Sequence, residues 1–173
     1  MGNSGVREVT WATKTLKEFQ EALASSDPTP GGGSAAAVAL GQAAALAVMV
    51  GELTLAKESL SEGWSISEQV KSVAEPFLKT GLELATSDSD AFDAVVASFR
   101  LPRETEEDKG KRRDAIRAAT LGAAEVPYQT ATSALQLLRL LPELAEKGNP
   151  NSSSDVGVSA ILASAALKGA IFN

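Results

Sequence analysis

The sequence predicts an all-α protein, an antiparallel helical bundle around a buried, alanine-rich central helix. Three observations carry this. Long segments rich in Ala, Leu, Glu and Lys, which favour helix, lie between sparse, sharp breaks at 28–33, Leu101-Pro102, Pro127, Pro142 and 148–151, with a softer one at Gly63-Trp64. Alternating runs of β-branched residues, the mark of strands, are absent. The length of 173 residues with 44% hydrophobic side chains suits one folded domain with a real core. There is no repeat and no interdomain linker; residues 1–13 read as a flexible N-terminal extension and 14–173 as the single domain.

The first helix is short, about 16–25, with Leu16, Phe19 and Leu23 on one face. The second starts after the triple glycine with Ser34 as N-cap and runs to about residue 60. Its apolar residues Val38, Leu40, Leu46, Met49, Val50 and Leu53 point all round, as in a helix buried on every side. Ala35, Ala39, Ala43, Ala47 and Gly51 recur every four residues, a strip that lets another helix approach closely, from the same subunit or across a dimer axis. The apolar run 35–51 is interrupted by Gln42, followed at once by Glu52 and short for a membrane span, so it reads as a core helix.

The third helix, 67–100, carries Val70, Ala74, Phe77, Gly81, Ala85, Asp88, Phe92, Val95 and Phe99 on one face, with Pro76 kinking or dividing it near its start. After Leu101-Pro102, acidic Glu104, Glu106 and Glu107 suit the positive end of a helix continuing toward Glu125. Pro127 kinks or restarts it, giving an amphipathic stretch through Tyr128, Ala131, Leu135, Leu138 and Leu141. The last helix starts near Ser154-Asp155, either of which can cap it, and is still helix-like at Asn173.

Two zeros restrict the chemistry. With no histidine and no cysteine, a Ser-His-Asp or Cys-His nucleophile, an imidazole or thiolate zinc site, a redox CxxC pair and a disulfide are all excluded. Acid–base work falls to Asp, Glu, Lys, Tyr or the termini. A net charge of -6 argues against general nucleic-acid binding, which needs a basic face. The basic cluster 109–113 follows the acidic run 104–108 and reads as a solvated helix start. Residues 1–6 lack an apolar signal core, and Val6 stands where a myristoylation motif wants Ser or Thr. The expectation is a soluble cytoplasmic protein without a membrane partner.

Asp88 stands out on the residues alone. It lies at the centre of the apolar stripe, whereas Asp90 falls roughly opposite and Asp93 well off it. A carboxylate on a buried face costs several kcal/mol unless it is paired or protonated. That makes Asp88 either an acid–base group or a structural salt bridge or cap near Thr86-Ser87. Gly31, Gly32 and Gly33 before Ser34 allow close backbone approach at a helix N-terminus, where free N–H groups suit an anion. The loop is not a P-loop, since no Gly-Lys-Ser/Thr follows at the required spacing, and a plain turn-and-cap role accounts for it equally. Lys57, near the end of an apolar helix, either snorkels outward or reaches a buried carboxylate. Asp155 reads as an N-cap more readily than as a catalyst, and Glu52 is open in the same way.

At these residues the chain resembles the cyclodeaminase domain of formiminotransferase-cyclodeaminase and its stand-alone relatives, the methenyltetrahydrofolate cyclohydrolases. The resemblance is carried by Pro28-Thr29-Pro30-Gly31-Gly32-Gly33-Ser34-Ala35-Ala36, Met49-Val50 with Leu53-Thr54, Asp88 through Phe92, Arg100-Leu101-Pro102, and Gly148-Asn149-Pro150-Asn151 leading to Ser154-Asp155. It implies a helical homodimer with folate sites near the subunit interface and no metal or redox cofactor. It implies a reaction at the one-carbon unit of tetrahydrofolate. Either 5-formiminotetrahydrofolate closes to 5,10-methenyltetrahydrofolate with loss of ammonia, or the methenyl and 10-formyl forms interconvert with water. Asp88 aligns with the family's catalytic aspartate. Gly31, Gly32, Gly33, Ser34, Lys57, Asn149 and Asp155 are the implied substrate contacts. The chain departs from the family in reading Gly51-Glu52-Leu53-Thr54 and Leu55-Ala56-Lys57-Glu58 where neutral or basic residues are common, and in stopping at Phe172-Asn173, which reads as a truncation. Those departures favour the rival expectation, a folate-binding or assembly subunit that kept the fold and lost turnover, while the retained Asp88 and glycine loop favour an enzyme.

Overall fold

The structure, a computed structural model, describes residues 10–173. Residues 1–9 of the expected extension lie outside the described residues. Among the described residues five α-helices account for the fold: α1 (Leu16–Leu23), α2 (Gly32–Leu55), α3 (Trp64–Phe99), α4 (Glu106–Lys147) and α5 (Ser153–Ile171). Short 3-10 turns at Trp11–Thr13, Glu58–Gly63 and Pro150–Ser152 fill the connections.

Helix α1 starts at a capping box: the Thr15 hydroxyl accepts from the Glu18 N–H, and the Glu18 carboxylate accepts from the Thr15 N–H at 2.7 Å. The Thr15 N–H foremost, and then the Thr15 hydroxyl donating to the same carboxylate at 2.8 Å, hold the Glu18 carboxyl below its usual range. Helix α2 is the centre. Ala37, Leu40, Ala43, Ala44, Ala47 and Val50 are fully buried against α3, α4 and α5. Cross-helix contacts fix the directions: Gly33 meets Asp88 while Gly51 meets Lys71, and Ala36 meets Gly169 while the Ser159 hydroxyl donates to the Ala43 carbonyl at 2.8 Å. Helices α3 and α5 therefore both run antiparallel to α2.

The tightest crossing joins α2 and α3 at Gly41 and Gly81, where a Cβ on Gly81 would lie 2.8 Å from the Ala37 carbonyl oxygen and 3.0 Å from the Gly41 Cα. Helices that touch backbone to backbone need glycine at the contact. The four-residue alanine strip predicted for this purpose is only partly so used: Ala43, Ala47 and Gly51 are buried, while Ala35 and Ala39 are half-buried.

Several boundaries differ from expectation. Helix α2 has Gly31, not Ser34, at its N-cap. It ends at Leu55 rather than near residue 60, because Lys57 turns extended and starts the 3-10 turn. Pro127 does not restart the helix: α4 is one helix of 42 residues, roughly 63 Å of chain at 1.5 Å per residue. A proline inside a helix costs about 3 kcal/mol. Burial of Thr130, Ala134, Leu137, Leu141 and Leu144 on the same helix offsets that. Neither Ser154 nor Asp155 caps α5, which starts at Ser153 after Ser152 with no side-chain cap bond; Asp155 sits in the first turn, where its charge complements the helix dipole.

At the far end of α2 the Thr54 hydroxyl ties that helix to the turn after α4. It donates to the Val50 carbonyl at 2.8 Å and accepts the Asn149 N–H at 2.9 Å, both buried. Thr54→Val keeps the shape and leaves that N–H without a partner, so stability should fall by about 1–3 kcal/mol in urea unfolding.

Beyond Asp88 the last three turns of α3 and the first part of α4 leave the bundle as a two-helix arm. Its end is tied by Arg112, which stacks over the Phe99 ring at 5.5 Å and donates to the Phe99 carbonyl at 3.2 Å. Phe92, Phe99, Leu101 and Leu121 are exposed on this arm.

Candidate active site

The apolar stripe of α3 explains where Asp88 ends up. Val70, Ala74, Phe77, Gly81 and Ala85 are buried, and Phe92 and Phe99 are exposed. Asp88, half-buried, is the residue at which the stripe leaves the core. Asp90 and Asp93 are exposed.

The Asp88 carboxylate meets the first turn of α2. The Ser34 hydroxyl, itself with no exposed surface, donates to Asp88 Oδ2 at 2.8 Å. Gly33 packs so closely that a Cβ there would land on the carboxylate. The N–H groups of the first turn of α2 have no partner within the helix and no side-chain cap, so they present a positive end beside the acid. On its other side Asp88 borders a hollow of about 320 Å³ lined by Phe92, Val95, Thr120, Ala123, Ala124 and Asn173. A second hollow of about 250 Å³, under Pro127, Tyr128 and Ala131, shares Ala124 and Asn173 with the first. The two meet at those residues as one groove along α4.

Gly33→Ala tests the close approach. The atom displaced is the end of a side chain rather than backbone, so the bundle should keep its melting temperature within a few degrees while the carboxylate is pushed aside. A misplaced reacting group costs on the order of 10²-fold in turnover, which steady-state rates would show.

The residues expected to form one site fall into two groups. Gly31, Gly32, Gly33, Ser34 and Asp88 are together at the N-terminal end of α2, with Asn173 Nδ2 beside Gly32. Lys57, Asn149 and Asp155 belong to the opposite end: Lys57 follows the last turn of α2, and Asn149 binds Thr54. The length of α2 separates the groups by roughly 30 Å within one chain. Lys57 is exposed, and its carbonyl accepts from the Trp64 indole at 3.3 Å. Asn149 is buried and caps the following turn, its Oδ1 accepting from the Asn151 N–H at 3.1 Å. Glu52 is an exposed partner of Lys71, whose ammonium it holds above the usual range, chiefly by their hydrogen bond.

Two neighbours escaped sequence reasoning. Ser89 Oγ lies 3.3 Å from Ser34 Oγ, and the Trp11 indole donates to Ser89 at 3.1 Å. Adjacency to Asp88 was the one available signal for Ser89; for Trp11, 78 residues away in sequence, there was none. Among the described residues no three acidic side chains converge to hold a metal ion.

Fold and site together define an all-α bundle that presents one carboxylate at the mouth of an apolar groove, beside a glycine-faced helix N-terminus. Residues 15–173 match the family model described as formiminotransferase-cyclodeaminase, and the chain belongs to that family of folate one-carbon enzymes. It is 38% identical to a methenyltetrahydrofolate cyclohydrolase of Methylorubrum extorquens over 92% of its own length and 77% of that protein's. It is 32% identical to the formimidoyltransferase-cyclodeaminase of Gallus gallus, covering 98% of this chain but only 31% of that longer protein. Its backbone superposes on the crystal structure of formiminotetrahydrofolate cyclodeaminase from Thermotoga maritima with a TM-score of 0.80 at 29% identity, over 93% of this chain and 76% of the other.

Proposed function

We propose that the chain is a methenyltetrahydrofolate cyclohydrolase in which Asp88 carries the proton. The observation behind this reading is the placement of the Asp88 carboxylate, half-buried between the first turn of α2 and the 320 Å³ hollow. Ligand hollows run from about 300 Å³ upward. This one suits a fused two-ring head, with the rest of a folate lying along the groove toward Tyr128. Gly32, exposed in the first turn of α2, lets a substrate approach the backbone beside Asp88, while the space over Gly33 is taken by the Asp88 carboxylate.

In the forward reaction a water oxygen bonds to the carbon bridging N5 and N10. Asp88 accepts one of its protons and returns it to N5 as the carbon–N5 bond breaks. The remaining hydroxyl proton is released to solvent as the carbonyl of the 10-formyl product forms. General acid–base transfer of this kind contributes on the order of 10²–10⁴-fold.

The extent and identity of the match to the curated cyclohydrolase favour water as the nucleophile. The likeness to the solved cyclodeaminase supports a second reading. In it N10 attacks the protonated formimino carbon, and Asp88 passes the N10 proton to the nitrogen that leaves as ammonia. Absorbance of the methenyl chromophore decides. Decay above the spontaneous rate marks a cyclohydrolase, and appearance from the formimino compound marks a cyclodeaminase. Folate binding without either change overturns both in favour of a binding or assembly subunit.

A homodimer belongs to the same reading. The arm exposes Phe92, Phe99, Leu101 and Leu121, and α5 exposes Val158 and Ile161, large apolar side chains that a second subunit would cover. A second copy laid end against end would bring the exposed Lys57 and the half-buried Asp155 toward a folate at Asp88, whereas the buried Asn149 keeps its capping role.

A further inference from the structure

We infer that Trp11, Ser89 and Ser34 form a one-way chain of hydrogen bonds that positions the Asp88 carboxylate, with the Trp11 indole as its fixed donor. This rests on the reading of Asp88 as the proton carrier. Trp11 precedes the matched residues 15–173 and sits in the 3-10 turn Trp11–Thr13. Its backbone N–H donates to Thr86 Oγ1 at 3.0 Å, and its ring stands edge-on to Phe19 with centroids 5.4 Å apart. These contacts hold the indole N–H on Ser89 Oγ at 3.1 Å.

The direction of the chain follows from counting protons. Ser34 has one hydroxyl proton and gives it to Asp88 Oδ2 at 2.8 Å. With that proton committed, the 3.3 Å contact between Ser34 and Ser89 is a hydrogen bond when Ser89 is the donor, its alternative acceptor being the Ala85 carbonyl at 3.4 Å. Ser89 in turn accepts from Trp11, which has a donor and no acceptor on its ring. Every bond therefore points toward the carboxylate, and donors in series polarise one another. Ser34 and Ser89 are buried, so water does not compete.

The chain also has a second setting that needs no heavy atom to move. When Asp88 takes a proton, the Ser34 hydroxyl can turn to Ser89, and the Ser89 hydroxyl to the Ala85 carbonyl 3.4 Å away. Ser89 then accepts from Ser34 and Trp11 together, and no buried polar atom of the three is stranded. Two hydroxyl rotations thus follow the charge on Asp88 while the carboxylate stays in place. Ser34, Ser89 and Trp11 are positioning residues in this arrangement.

The test uses the full chain and the methenyl absorbance assay. Trp11→Phe keeps a ring against Phe19 and removes only the N–H; Ser89→Ala breaks the chain one bond later. Each should lower kcat about three- to tenfold, the worth of one hydrogen bond. KM should stay unchanged, the melting temperature should fall by no more than a few degrees for Ser89→Ala, which leaves the half-buried indole N–H without its partner, and the double variant should be no worse in kcat than the poorer single one. Trp11→Phe and Ser89→Ala with kcat within twofold of the parent, while Asp88→Asn is inactive, would overturn the chain and leave the role of Asp88 standing. A second readout does not use turnover. In a Trp64→Phe background Trp11 is the remaining tryptophan, and Asp88→Asn should shift its emission. An active Asp88→Asn removes the acid–base reading, and the emission then decides the chain alone: a shift supports it and no shift overturns it.

Discussion

Asp88→Asn is expected to reduce kcat by on the order of 10²–10⁴-fold while the protein keeps its fold. The amide has the shape of the carboxyl group, and its oxygen can still accept the Ser34 hydroxyl now bound at 2.8 Å. What it loses is the capacity to take and return a proton. No histidine or cysteine exists elsewhere in the chain to substitute. The measurement is the rate of methenyl absorbance change with circular dichroism run in parallel. A folded variant with near-normal turnover refutes the assignment.

Gly81→Leu should have the largest effect on stability, roughly 3 kcal/mol or more, read as a shift of the urea midpoint. Even Gly81→Ala should be destabilising by about 1–3 kcal/mol, although alanine is favoured over glycine in a helix by about 1 kcal/mol. The overpacking wins because the atoms a Cβ would meet, the Ala37 carbonyl and the Gly41 Cα and N, are backbone and cannot rotate away. Gly122→Ala in α4 is the matched control. A Cβ there meets nothing within 4 Å, so it should stabilise by about 0.5–1 kcal/mol.

What the sequence revealed was what depends on local period. The all-round apolar character of α2 and the stripe of α3 placed the core, and the stripe also picked out Asp88, because both features repeat at helical spacing. Ser34 shows the limit. Its residue type and position after glycines suit an N-cap, yet its hydroxyl is used on a residue 54 positions away, and the cap falls to Gly31. Pro127 shows another: its local cost is legible, and the packing of α4 that offsets it is not. The resemblance implies Lys57, Asn149 and Asp155 as substrate contacts together with Asp88, near a subunit interface. Motif order says nothing about which end of an antiparallel bundle a residue occupies, and the folded chain sends them to the other end.

The Gly41–Gly81 crossing has a mechanical consequence. It lies two turns of α3 below Asp88 and about two turns of α2 from Gly33, and the atoms that meet there are backbone. Main chain does not swing aside as a side chain does, so the contact fixes the spacing of the two rods close to the Ser34–Asp88 bond. The seat of the acid is thereby gauged by the peptide backbone rather than by side chains that hop between rotamers.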